Sequence, residues 1–188
     1  MSPDGSTIVV VGDQDIEIGT AWIVACYNAA TGTEVWERVD HFWYDNYPAD
    51  VSISPDGQTV FVTGTAWPSR VDESMITVGY RMDTGGTRWR SRYDGPSRVS
   101  WGEAVGSDAT GVIVTGFSRG PNGLDYATVA YDPGSGRVIW ARRFDDPAHG
   151  DDESVGIALE PDGLRVFVTG WSEAPSAEPD FTTVAYAR

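Results

Sequence analysis

Short runs of β-branched and aromatic residues alternate along this chain with clusters of Gly, Pro, Asp and Ser. Tyr126-Ala-Thr-Val-Ala-Tyr131 has the composition of a strand. Pro133, Gly134 and Gly136 then supply a tight turn, and Arg137-Val-Ile-Trp140 starts a second strand. The pattern predicts a hairpin with a Trp four residues past its last turn glycine. Gly32 and Trp36, and Gly85 and Trp89, keep the same spacing, with Tyr27 and Tyr80 upstream.

A second pattern repeats between the hairpins. Ser54-Pro-Asp-Gly57 leads into Val60-Phe-Val-Thr-Gly64, and Glu160-Pro-Asp-Gly163 into Val166-Phe-Val-Thr-Gly170. Ser2-Pro-Asp-Gly5 leads into Ile8-Val-Val-Val-Gly12, and a shortened copy at Ser107–Gly111 into Val112-Ile-Val-Thr-Gly116. Glycines 12, 64, 116 and 170 are therefore 52, 52 and 54 residues apart. A period of roughly 40–50 residues with several short strands per unit marks propeller blades. One full unit predicts strand A at 49–54, B at 59–65, C at 74–82 and D at 87–93. The expected fold is all-β, a β-propeller of four units at 1–48, 49–101, 102–153 and 154–188. The first unit lacks strand A and the last lacks strand D, which predicts an open arc of a larger propeller. Further blades of a longer chain, or a second copy, are expected to cover its apolar flanks.

The string Ala130-x-Asp132-x-x-Ser135-Gly136-x-x-x-Trp140 resembles the tryptophan-docking motif of quinoprotein-type (PQQ-binding-like) propellers. The whole chain resembles bacterial propeller-repeat proteins of that superfamily. The resemblance implies that Trp36, Trp89 and Trp140 tie each blade to its neighbour. The first two copies depart from the motif: Cys26 and Gly79 replace Ala130, while Asn28 and Arg81 replace Asp132. A quinone-dependent dehydrogenase site, by the same resemblance, needs a metal-ligand set and commonly two adjacent cysteines. Only Cys26 is present, which also excludes an intrachain disulfide.

Charge narrows the partners. The chain carries 28 acidic and 13 basic residues, net −15, and its cations other than His are all Arg. Such a surface repels phosphate backbones, so no nucleic-acid partner is expected. No run of about 18 apolar residues exists, so no membrane-spanning helix is expected. No basic-then-apolar leader is visible; the compartment stays open, and is extracytoplasmic if the parent chain carries a signal peptide.

Candidate chemistry is confined to the B–C and D–A connections, which share one face in a propeller. No G-x-S-x-G or H-E-x-x-H string occurs, and His41 and His149 are the only histidines. No catalytic residue is assigned. Trp43, Tyr44, Tyr47, Trp67, Trp101 and Trp171 form the candidate contact set, since exposed aromatics suit sugar rings or cationic partners. The loop at Asp145–Glu153 concentrates carboxylates, and Asp145, Asp146, Asp151 and Asp152 are the candidate metal ligands. The alternative there is a solvated acidic loop. The expectation is a non-enzymatic binding module with a protein or carbohydrate ligand and no cofactor. The alternatives are a fragment of a PQQ-dependent dehydrogenase, or a Ca²⁺- or carbohydrate-binding extracellular propeller.

Overall fold

The computed structural model describes residues 1–147, 149–173 and 179–188. Four antiparallel sheets follow one another along the chain. The first holds β1 (Thr7–Asp15), β2 (Thr20–Asn28) and β3 (Glu34–Asp40). The second holds β4 (Asn46–Ile53), β5 (Thr59–Ala66), β6 (Ser74–Arg81) and β7 (Thr87–Tyr93). The third holds β8 (Ser100–Ser107), β9 (Val112–Arg119), β10 (Leu124–Tyr131) and β11 (Val138–Phe144). The fourth holds β12 (Asp152–Leu159), β13 (Arg165–Ser172) and β14 (Asp180–Ala187). Every sheet is a meander of sequential hairpins, and the described residues contain no helix. This is a propeller arc of three-, four-, four- and three-stranded blades.

The turns form where the chemistry places them. The Gly57 amide donates to Ser54 O at 2.8 Å, closing a four-residue turn with Gly57 at φ 69°. Gly85 and Gly136 close the β6–β7 and β10–β11 turns by bonds to Arg81 O and Asp132 O, each at 2.9 Å.

The repeated Val-Thr-Gly has a steric cause. The inner strands β4, β8 and β12 each bulge, at Pro48/Asp50, Gly102/Ala104 and Ser154/Gly156. The bulge turns a carbonyl toward the neighbouring strand's glycine. A Cβ on Gly64, Gly116 or Gly170 would lie 2.1 Å from Tyr47 O, 1.9 Å from Trp101 O or 1.9 Å from Glu153 O. Gly12, in the sheet without an inner strand, has nothing within 4 Å of that position. Strand β4 starts at Asn46, earlier than the expected 49.

The core lies between the sheets rather than within any of them. Trp22, Val24, Val62, Ile76 and Tyr80 fill the space between the first and second sheets. Phe61, Trp89, Val114 and Tyr131 fill the next, and Ile113, Tyr126, Val166 and Val168 the last. The outer flanks of the array are bare. Ile8, Val10 and Val39 are exposed on the first sheet, and Val155, Phe167 and Phe181 on the fourth.

Candidate functional site

The aromatic part of the site is built on the β3–β4 connection. Asn46 begins β4 fully buried, and its Nδ2 donates to Thr20 O at 2.7 Å and Trp43 O at 3.2 Å. This clamp fixes the preceding loop. Trp43 is half-buried, with the Arg92 and Arg90 guanidinium carbons 5.3 and 5.9 Å from its ring centre. The arginines of β7 thus brace this loop. Ile18, His41, Trp43 and Tyr44 line a shallow apolar depression, with Ile18 and Tyr44 63% and 52% exposed.

The remaining members of the contact set do not converge on that depression. Trp67 is tied to its rim through the backbone, its amide donating to Asp45 O at 2.9 Å and its carbonyl accepting from Tyr44. Tyr47 is exposed on inner strand β4. Trp101 stacks on Phe117 at 5.6 Å, and its Nε1 donates to the Glu73 carboxylate. Trp171 pairs with Glu153 across β12–β13. Sequence reasoning passed over Ile18 and His41. Further clefts lie on the opposite face, among the β4–β5 and β10–β11 turns, lined by Pro55, Arg88, Asp108 and Pro133.

The indoles of Trp36 and Trp89 are buried and reach the next sheet. Trp36 Nε1 donates to Met82 O at 2.7 Å and Trp89 Nε1 to Pro133 O at 2.9 Å. Each also packs against a small residue on its own sheet, Cys26 and Gly79 being their direct cross-strand partners. Trp140 is only half-buried, between Arg142 and Tyr186. Among the described residues the fourth sheet offers it no β-turn glycine of the kind that meets Trp36 and Trp89.

The acidic loop divides into two groups. Asp145 and Asp152 come together, and the fully formed cluster adds Asp125, which sequence reasoning missed. One oxygen from each of the three lies within 4.8 Å of the others. Asp151 instead accepts the Leu124 amide at 2.8 Å, holding the β9–β10 connection. Asp146 contributes its backbone, its amide donating to Asp152 Oδ2 at 2.8 Å. Asp125 is ion-paired to Arg143, whose Nε also donates to Ser118 Oγ at 2.9 Å. His149 Nδ1 lies 2.9 Å from Asp145 Oδ1. Burial pushes the Asp152 carboxyl above its ordinary range, and the charges of Asp146 and Asp145 push the same way. The Tyr126 hydroxyl is pushed up to about 12, by burial first and then by Asp152.

No family model matches the sequence, and no curated protein matches it. Solved structures do match the fold. The chain is similar to the periplasmic gluconolactonase PpgL of Pseudomonas aeruginosa, at 17% identity and a TM-score of 0.56, over 87% of this chain and 46% of that one. It is similar to the β-propeller domain of the Trilobed protease from Pyrococcus furiosus, at 9% identity and a TM-score of 0.58, over 98% and 52% of the two chains. A third match is the quinohemoprotein alcohol dehydrogenase of Comamonas testosteroni, at 13% identity and a TM-score of 0.57, over 92% and 32%. The fold is a β-propeller. The chain spans about half or less of the length of these propellers. At such identity the likeness concerns the fold alone.

Proposed function

We propose that this chain is a non-enzymatic β-propeller binding module that recognises a protein or carbohydrate on the face carrying the B–C and D–A connections. The observation that carries the reading is the depression formed by Ile18, His41, Trp43 and Tyr44. An exposed Tyr beside a braced, half-buried Trp is a preformed platform, so little side-chain freedom is lost when a ring or apolar side chain lands on it. Trp67, Tyr47, Trp101 and Trp171 extend the surface across the other sheets. Trp36, Trp89 and Trp140 are read as docking residues that hold the blades, not as ligand contacts. The bare flanks of the first and fourth sheets are read as surfaces that further blades or a second copy cover.

A glycan array probed with the whole chain tests the reading, with tryptophan fluorescence quenching to follow each hit. Binding that disappears in Tyr44→Ala and Trp43→Ala, with the fold retained, supports the carbohydrate form. Reconstitution with the quinone and Ca²⁺ tests the dehydrogenase alternative. Dye-linked alcohol oxidation after reconstitution would replace the binding-module reading.

A further inference from the structure

The repeat supplies its own control for the acidic cluster. Strand pairing makes Asn46, Ser100 and Asp152 equivalent, as the first residues of the inner strands. It makes Ala21, Ser74 and Asp125 equivalent on β2, β6 and β10. The residues that follow the strand-end positions on β3, β7 and β11 compare likewise, giving His41, Asp94 and Asp145. The same corner between successive sheets therefore holds no carboxylate, then one, then three.

At the first two corners the buried side chains equivalent to Asp152 are hydrogen-bonded. Asn46 donates to Thr20 O and Trp43 O and accepts from the Phe42 amide at 3.3 Å. At the second corner Ser100 Oγ accepts from the Met75 amide at 3.1 Å and donates to Tyr93 O at 2.6 Å, while Ser74 donates to Asp94 at 2.8 Å. At the third corner this accounting fails. Asp152 has no exposed surface, and its Oδ1 is buried without a hydrogen-bond partner. Ser172, which pairs with Asp152 across β12–β13, turns its buried hydroxyl toward that carboxyl without closing a hydrogen bond to it. A buried carboxylate oxygen with no partner is costly unless something neutralises it. Arg143 commits its Nε and Nη2 to Ser118 and Asp125, and none of its bonds reaches Asp152. Three carboxylates against one guanidinium leave a formal charge of −2.

We propose that Asp125, Asp145 and Asp152 hold a calcium ion that ties the third sheet to the fourth, with the Ser172 hydroxyl as a further oxygen ligand. The donor set selects the ion. Oxygens from three carboxylates converge within 4.8 Å of one another. Ca²⁺ takes such carboxylate sets in flexible geometry at about 2.3–2.6 Å, whereas Mg²⁺ demands a near-ideal octahedron and usually binds through one or two carboxylates. Calcium at this corner supplies the link that neutral side chains supply at the other two.

The experiment uses the whole chain stripped with a chelator. Terbium, a luminescent calcium substitute, is titrated in and excited through the aromatic residues, among them Tyr126, on whose hydroxyl the Asp152 charge acts; Ca²⁺ and Mg²⁺ are then used as competitors. Saturable terbium luminescence displaced by Ca²⁺ at about 10⁻⁴ M, and not by equal Mg²⁺, is the expected result. Asp152→Asn should weaken binding at least about tenfold while keeping a cooperative thermal transition, because Asn46 already fills that position in the second sheet. If Asp152→Asn does not fold, the exposed Asp145→Asn decides, with the same expected weakening. Absence of saturable binding in the wild type overturns the proposal, as does unchanged affinity in the folded variant. The site is independent of the aromatic platform: a silent glycan array leaves it standing, and a failed titration leaves the recognition face standing.

Discussion

Trp89 lies across Gly136 of the following sheet, so closely that a Cβ on that glycine would sit 2.4 Å from the indole ring. The same relationship joins Trp36 to Gly85, at 2.7 Å. A positive φ at each glycine, 69° and 66°, independently disfavours any side chain there. The ring thus gains backbone contact that no other residue type at the turn would permit. Its N–H meanwhile bonds a carbonyl of the same turn. Trp89→Ala should cost about 3–5 kcal/mol in denaturant unfolding. Trp140→Ala should cost clearly less, since Trp140 stays partly in water. Equal costs would show that the inter-sheet contact contributes little.

The bulge glycines give a matched pair of substitutions. Gly116→Ala drives a methyl into Trp101 O and should destabilise by about 3 kcal/mol or more. Gly12→Ala meets open space and should fall within about 0.5 kcal/mol of wild type. Thermal melts of the two variants side by side check this, and a large loss at Gly12 would mean that its surroundings are filled.

Acid titration should show two opposed carboxylate effects. The Ser54 hydroxyl at 2.5 Å and the Gln58 amide at 3.0 Å hold the Asp56 carboxyl below its ordinary 3.8. A depressed carboxyl stabilises the native state above the unfolded pKa, and that contribution is lost as pH falls below about 4. Glu103 is opposite: burial, and then the charge of Glu153, raise it above 4.5. Its ionisation therefore removes stability as pH rises through the folded-state pKa. Thermal midpoints against pH should rise near neutrality for Glu103→Gln and lose part of their acid slope for Asp56→Asn.

The flanks predict the solution behaviour of the isolated chain. Val155 is 55% and Phe181 78% exposed on one end sheet, and Val10 49% on the other. Sedimentation should show concentration-dependent association, and an apolar dye should bind. Phe181→Ser with Phe167→Glu should reduce both. A monomer that ignores the dye would show that these faces are covered in another way.

Much of this architecture is written in local sequence. The fourteen strands in four sheets among the described residues follow from alternating β-branched runs and from turn residues that admit few backbone conformations. The glycine period marks the inner-strand bulges because no side chain fits there. The small residues at 26 and 79, departures from the motif by sequence, face Trp36 and Trp89 directly. Periodicity and turn chemistry act over a few residues, so they survive reading one residue at a time.

The corner between the third and fourth sheets is different in kind. Asp125 and Asp152 are separated by a whole strand and two connections, and only strand register with sheet stacking brings their carboxylates together. Asp151 adjoins Asp152 in sequence, yet it turns to the Leu124 amide. Charge density along the chain marked the loop; it could not say which carboxylates converge. The aromatic set behaves likewise, since Trp43 and Tyr44 meet Ile18 across two intervening strands while Trp101 and Trp171 remain on other sheets. Local chemistry determined what each segment becomes. Burial and convergence depend on which sheet stands opposite, and that was decided only when the sheets stacked.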